Sequence, residues 1–113
     1  MVKVTALYRW FEGAQFNHAY YQSEHMRITR DAVQPHGLLR LESEQVVNPV
    51  PTQPGQVVAA TSSYFPSAAA AQAALAEAGV LLRADLPRYT NIKPELHVSA
   101  VMTHHSPSPQ ALP

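Results

Sequence analysis

Four segments rich in β-branched, aromatic and small residues predict strands along the chain. In the first, residues 2–10, Val4, Ala6 and Tyr8 fall on one face because side chains alternate along a strand. In the third segment both alternating sets are small or apolar, which predicts a strand buried on both faces. The other predicted strands span residues 38–47, 56–65 and 94–102.

Between the first two strands, the spacing predicts a long helix over residues 16–33, a stretch without Pro or Gly. Asn17 or Gln15 suits its start, and Pro35 with Gly37 marks its end.

The second predicted helix begins after Ser67, a good N-cap residue, and continues through the Ala-rich residues 68–78. Gly79 is expected to interrupt it, residues 80–86 to add further helical turns, and Pro87 to end it.

The element order is therefore strand-helix-strand twice over, which predicts an α+β, ferredoxin-like βαββαβ fold. Such a fold is a four-stranded antiparallel sheet with two helices on one face. Because the third strand is apolar on both sides, we expect a second copy to cover the other face and form a dimeric α/β barrel. We expect one domain over residues 1–103 and a flexible Pro-rich tail over residues 104–113.

Composition narrows the classes of function. The 113 residues carry eight basic and eight acidic side chains, so the chain lacks the basic excess of a nucleic-acid binder. It has no Cys, which excludes disulfides, thiol nucleophiles and zinc-thiolate sites. We find no signal-peptide pattern and no apolar run of membrane-spanning length, and we expect a cytoplasmic protein without membrane or nucleic-acid partners.

His25 is the first candidate for chemistry. It shares a helical stripe with His18 and Tyr21, separate from the apolar face of the same helix, and a helix with two such arcs can line a cavity. A His beside a Tyr at a cavity edge can act as a general acid or base. A structural His, hydrogen-bonded to the backbone or to Glu24, is the alternative.

Aromatic residues supply candidate ligand contacts at Tyr8, Trp10, Tyr21, Tyr64 and Tyr89. Tyrosine hydroxyls orient ligand oxygens in apolar pockets, and the rings stack on planar ligands. Core packing with the hydroxyl at the rim is the alternative for each of them.

Metal and nucleotide signatures are absent from the sequence. The His residues show no metal-site spacing, and the four scattered Gly make neither a phosphate loop nor a dinucleotide fingerprint. We therefore expect no cofactor, with haem on His25 as an open alternative.

The order of several short motifs resembles the EthD family over residues 2–102. The family has an aromatic-basic pair and Gly after its first strand, then a helix with spaced aromatic residues before a His. The matching segments here are residues 4–13 and 16–25, followed by Tyr64-Phe65 before the Ala-rich helix and by residues 89–91 and 94–95 before the last strand.

The resemblance implies a dimeric α/β barrel in which the family's helix His corresponds to His25. The family takes its name from the degradation of ethyl tert-butyl ether, where it accompanies a cytochrome P450 system. Its wider superfamily includes cofactor-free monooxygenases, isomerases, cyclases and haem-degrading enzymes. One departure is Met26-Arg27, where many members have a small residue and Pro.

Together these features favour a homodimer that binds an apolar or aromatic metabolite between sheet and helices. His25 is the expected acid or base and Tyr64 its catalytic partner, with Tyr8, Trp10, Tyr21 and Tyr89 in contact with substrate. The expected reaction is a cofactor-free oxygenation, dehydration, isomerisation or cyclisation linked to ether degradation. The alternative is a non-catalytic accessory or carrier protein for an oxygenase system.

Overall fold

A four-stranded antiparallel sheet with two helices on one face forms the protein, in a computed structural model that describes residues 1–107. The strand order is β2-β3-β1-β4, so the two central strands are the first and third in sequence. This arrangement confirms the predicted ferredoxin-like α+β fold. The strands are β1 (Val2–Arg9), β2 (Arg40–Gln45), β3 (Val57–Phe65) and β4 (Glu95–Ala100), and the helices are α1 (residues 18–33) and α2 (Ala68–Asp85).

The first helix, α1, has three contiguous parts: α-helical His18–Tyr20, π-helical Tyr21–His25 and α-helical Met26–Val33. The Asn17 side chain accepts a hydrogen bond from the Tyr20 backbone N–H at 3.0 Å, as an N-cap does. The wider π-helical turn is a rare local form that often occurs at functional sites. The π-helical turn therefore marks residues 21–25 as the candidate functional part of α1.

The second helix, α2, is continuous through Gly79, so the predicted interruption there is wrong. Ser67 caps it, accepting a hydrogen bond from the Ala70 backbone N–H at 3.1 Å. A Gly inside a helix costs only about 1 kcal/mol relative to Ala, which the surrounding good helix formers offset. Ala71, Ala74 and Ala78 are buried against the sheet and form one core cluster with Val4, Val33 and Phe65.

Strand register decides which side chains face the helices. Val4 lies opposite Ser63 and Tyr8 opposite Ala59, and these four residues are on the helix-covered face. Tyr64 lies opposite Lys3 on β1 and Arg40 on β2, and its side chain is on the other face. No element within residues 1–107 covers that second face.

The loops lie where they were predicted, and each strand is shorter than its predicted range. The Pro-rich residues 48–55 form the connection between β2 and β3. Residues 101–107 contain no helix or strand, and the rest of the predicted tail, residues 108–113, lies outside the described residues. Across residues 1–107, none of the helices has the length and hydrophobicity needed to span a membrane.

The same substitution at two glycines tests this account of the backbone. We expect Gly79→Ala to raise the free energy of unfolding by about 0.5–1 kcal/mol, because Ala is the better helix former. An added Cβ at Gly79 meets only the mobile guanidinium end of Arg83, 2.9 Å from Nη1. Gly37→Ala should instead lower the free energy by about 1–2 kcal/mol, since Gly37 has φ +85°.

Urea denaturation of both variants checks the pair. A loss of stability in Gly79→Ala equal to that in Gly37→Ala would mean that Gly79 is required by the backbone rather than tolerated by the helix.

Candidate functional site

A buried hydrogen bond between an imidazole and a carboxylate joins the two helices at the end of the molecule that holds the aromatic residues. His25 Nδ1 lies 2.9 Å from Asp85 Oδ2, and both side chains are less than a tenth exposed. His25 comes from the π-helical turn of α1 and Asp85 is the last residue of α2. Asp85 fixes the imidazole orientation and favours a proton on Nδ1, which leaves Nε2 as the free acceptor.

Asp85 is held by further donors. The Tyr20 hydroxyl donates to Asp85 Oδ1 at 2.7 Å, and Arg88 Nε lies 3.6 Å from the same oxygen. A buried carboxylate is tolerated only when its oxygens are hydrogen-bonded, and here both are. The carboxylate is therefore stable as an anion behind the imidazole.

The pKa values support a neutral imidazole next to a charged carboxylate. Burial lowers the pKa of His25 from 6.5, and the hydrogen bond and charge of Asp85 offset only part of that effect. Burial alone would raise the pKa of Asp85, but hydrogen bonds from His25 and Tyr20 outweigh it and hold that pKa below 3.8. At neutral pH the pair is thus an uncharged base with an anion behind it.

A chain of tyrosine hydroxyls meets the other nitrogen of His25. The Tyr89 hydroxyl is 3.3 Å from His25 Nε2, and the Tyr8 hydroxyl is 2.6 Å from that of Tyr89. Burial raises the pKa of each of these phenols, so both remain protonated donors. The hydroxyls therefore form a hydrogen-bonded line that ends at the basic nitrogen.

Tyr21 packs beside this line. Its ring stacks on the His25 imidazole with 5.4 Å between centroids and an interplanar angle of 14°. Its hydroxyl bonds the Thr61 hydroxyl on β3, and its pKa is raised by burial. Thr29 donates to the His25 carbonyl at 2.7 Å, which fixes the backbone at the end of the π-helical turn.

A cavity of about 1150 Å³ opens at this cluster. Its wall includes Tyr8, His25 and Tyr89, so three members of the hydrogen-bonded line border the space that a ligand can enter. The remainder of the wall comes from residues 15–17 before α1, from α2, from the 86–94 segment and from the start of β4. Its apolar side chains include Leu75, Leu82, Leu86, Ile92 and Leu96.

The structure brings four of the six predicted site residues together: Tyr8, Tyr21, His25 and Tyr89. Trp10 is half-buried and packs against the aromatic core cluster that contains them. Tyr64 lies elsewhere, on the sheet face turned away from the helices, where its hydroxyl donates to Glu42 at 3.3 Å. Tyr64 is therefore not brought to His25 within one chain.

Asp85 is the functional residue that the sequence analysis missed. The partner considered there for His25, Glu24, instead bonds Arg27 at 2.9 Å on the surface of α1. One sequence feature marks Asp85: an acidic residue at the C-terminal end of a helix opposes the helix dipole. An unfavourable charge at that position indicates a tertiary partner.

Neither a metal nor haem suits the cluster. Within the described part of the chain, no three His, Cys, Asp or Glu side chains are grouped closely enough to hold a metal ion. Haem could be held only through His25 Nε2, because Nδ1 bonds Asp85. The Tyr89 hydroxyl, 3.3 Å from Nε2, would have to leave that nitrogen first.

Comparison with known proteins gives a consistent result. No protein-family model matches the chain, and no curated protein does either. A solved EthD-like protein from Ralstonia eutropha JMP134 matches with a TM-score of 0.78 and 29% identity, over 93% of this chain and 95% of that one.

Two more solved structures are similar to this chain at lower sequence identity. An EthD family protein from Bacillus halodurans C-125 has a TM-score of 0.63 and 20% identity, over 90% of this chain and 99% of that one. HapK from Hahella chejuensis has a TM-score of 0.58 and 13% identity, over 96% and 99% of the two chains. These two likenesses concern the fold, whereas the first extends to sequence along nearly the whole of both chains. The chain therefore has the fold of the EthD-like proteins and resembles the first of them in sequence.

Proposed function

We propose that this protein binds an apolar or aromatic metabolite in the cavity and that His25 takes a proton from it without a metal or nucleotide. The observation that carries the proposal is the buried His25–Asp85 pair, with His25 in the wall of an apolar cavity. A neutral imidazole held by a carboxylate is a general base whose pKa is suited to work near neutral pH.

In the proposed proton transfer each residue of the cluster has one role. Nδ1 of His25 donates to Asp85, so the lone pair of Nε2 is free to accept a proton from the ligand. Asp85 then stabilises the imidazolium that forms. The ligand oxygen takes the place of Nε2 as the acceptor from Tyr89, and Tyr8 donates to Tyr89 behind it.

This chemistry selects a class of ligand. A carbonyl compound with an acidic C–H, or a phenol, offers both a proton for His25 and an oxygen for Tyr89. A simple ether offers no such proton. A role in ether degradation would therefore concern a carbonyl or phenolic product of oxygenation rather than the ether itself.

A carrier or accessory role for an oxygenase system is the second candidate, and one observation favours it. The polar groups of the cluster already satisfy one another through the Asp85–His25–Tyr89–Tyr8 line. A cavity with an internally satisfied polar wall can hold an apolar intermediate without acting on it.

We also propose that the protein is a homodimer that pairs through the uncovered face of the sheet. Thr5 lies at the middle of that face, between Ser62 on β3 and His97 on β4. Small side chains there allow a second sheet to approach closely. Tyr64 lies on the same face, so in a dimer it would contact the partner's sheet rather than the His25 cluster.

Exchange of carbon-bound hydrogen for solvent deuterium tests the base directly. We expect the wild type to accelerate exchange in a panel of aromatic ketones and cyclic diketones followed by NMR, and His25→Gln to lose at least about a hundredfold of that rate. The rate should fall as the pH drops through the pKa of His25, which burial lowers from 6.5, because a protonated His25 cannot accept the proton of the ligand. Equal exchange rates in wild type and His25→Gln would leave the carrier role as the better account.

Asp85→Asn tests whether the carboxylate positions the imidazole. Removing the negative charge takes away the effect that raises the pKa of His25, so the acid limb of the rate profile should move to lower pH. The plateau rate should fall about ten- to hundredfold, because the imidazolium loses its counter-charge. Asp31→Asn, at an exposed position of α1, is the matched control and should change neither quantity.

Thr5→Lys tests the dimer. Two copies paired across a two-fold axis would each bring a buried cation to the shared face, so the variant should be monomeric where the wild type is dimeric. Sedimentation velocity at micromolar concentration measures the change. Gln22→Lys, on the exposed side of α1, should leave the mass unaltered, and a monomeric wild type would end this part of the proposal.

A further inference from the structure

The charged residues of the cavity are all of one sign. Arg83, Arg88 and Lys93 line it, and among the described residues no Asp or Glu does. The chain as a whole has equal numbers of acidic and basic side chains, so this wall is a local departure from balance. The apolar part of the cavity wall lies beside these cations.

Two of the three cavity cations, Arg83 and Lys93, differ from most other cations of the described residues because they form no ion pair. Arg9, Arg27, Arg30 and Arg40 each lie within 4 Å of a carboxylate, as does Arg88 through Asp85. Within residues 1–107, Lys3, Arg83 and Lys93 form no such pair. Two of these three unpaired cations thus line the cavity beside His25.

Gly79 gives Arg83 its position. The Arg83 guanidinium folds back over the helix so that Nη1 lies 2.9 Å from where a Cβ of Gly79 would be. Both residues line the cavity. A side chain at position 79 would displace the guanidinium, so the Gly inside α2 gives room to a cation at the cavity wall.

We infer that the natural ligand is an amphiphile with an apolar or aromatic body and an acidic head group, a carboxylate in the simplest case. The body occupies the space between Leu75, Leu82 and Leu96, and the head group bonds Arg83 and Lys93. Charge-assisted hydrogen bonds to a carboxylate are stronger than those to a neutral amide, and they orient the ligand in the cavity. The inference rests on the proposed function, because it names the ligand class of the same cavity.

Matched ligand pairs test the head group independently of proton transfer. Titration calorimetry with 2-naphthoate and 2-naphthamide, and with dodecanoate and dodecanamide, measures the dissociation constant for acid and amide of equal shape. We expect the wild type to bind each acid about tenfold more tightly than its amide, and the preference to shrink at high salt. Equal affinity for acid and amide, or binding of neither compound at millimolar concentration, overturns the inference.

Three variants test which residues cause the tighter binding of acids. Arg83→Gln and Lys93→Gln should each weaken acid binding about three- to fivefold and leave amide binding unchanged. Gly79→Ala should weaken acid binding in the same way although the fold is not destabilised. Arg30→Gln, at an exposed position of α1 that does not line the cavity, is the control, and an equal effect there would contradict the assigned site.

His25→Gln separates this inference from the proposed function. If the variant keeps the preference for acids but wild type and variant catalyse no exchange, the head-group site stands and the base does not. If exchange depends on His25 but acids and amides bind alike, the base stands and the head-group site does not.

Discussion

The contact between His25 and Asp85 is the constraint on which the rest of the site depends. It places a carboxylate and an imidazole out of water, which is unfavourable unless their hydrogen-bonding groups have partners. Tyr20 and Tyr89 supply those partners from α1 and from the segment after α2. Because the pair joins the middle of α1 to the end of α2, the cavity wall and the base are fixed by one interaction.

Small side chains explain why the cavity lies where it does. Buried Ala residues on α2 let that helix approach the central strands, and the core there is tightly closed. The edge strand β4 is left without a helix above it, and its helix-side residues Leu96 and Val98 are exposed. The open space between α2 and β4 is therefore a consequence of where α2 packs.

Much of the fold follows from local sequence. Alternation located the four strands, and Asn17 and Ser67 marked the two helix starts because short polar side chains satisfy free backbone N–H groups there. The candidate site follows from local sequence only in part. The helical stripe that joins Tyr21 and His25 is local, whereas the partner of His25 lies 60 residues away and depends on how two helices dock.

The placement of Tyr64 and the continuity of α2 show two different limits of prediction from sequence. Alternation put Tyr64 on the face opposite to Thr61 and Ser63, but it does not say which of the two faces the helices cover, and tertiary packing decides that. At Gly79 the sequence rule predicted a break, but the helix is continuous because a single Gly costs it only about 1 kcal/mol. The rule did not include the space that a missing side chain leaves for Arg83.

The π-helical turn at Tyr21–His25 gives α1 a phase shift. One extra residue is accommodated in that turn, so the residues before and after it belong to two helical frames offset by about 100°, the rotation of a single α-helical residue. Residues 18–20 keep the register set by the Asn17 cap, and residues 26–33 keep the register set by the core. Deletion of one residue between Tyr21 and His25 would close the turn to an ordinary α-helix with both ends of α1 in place, and it would change the spacing by which these two rings stack.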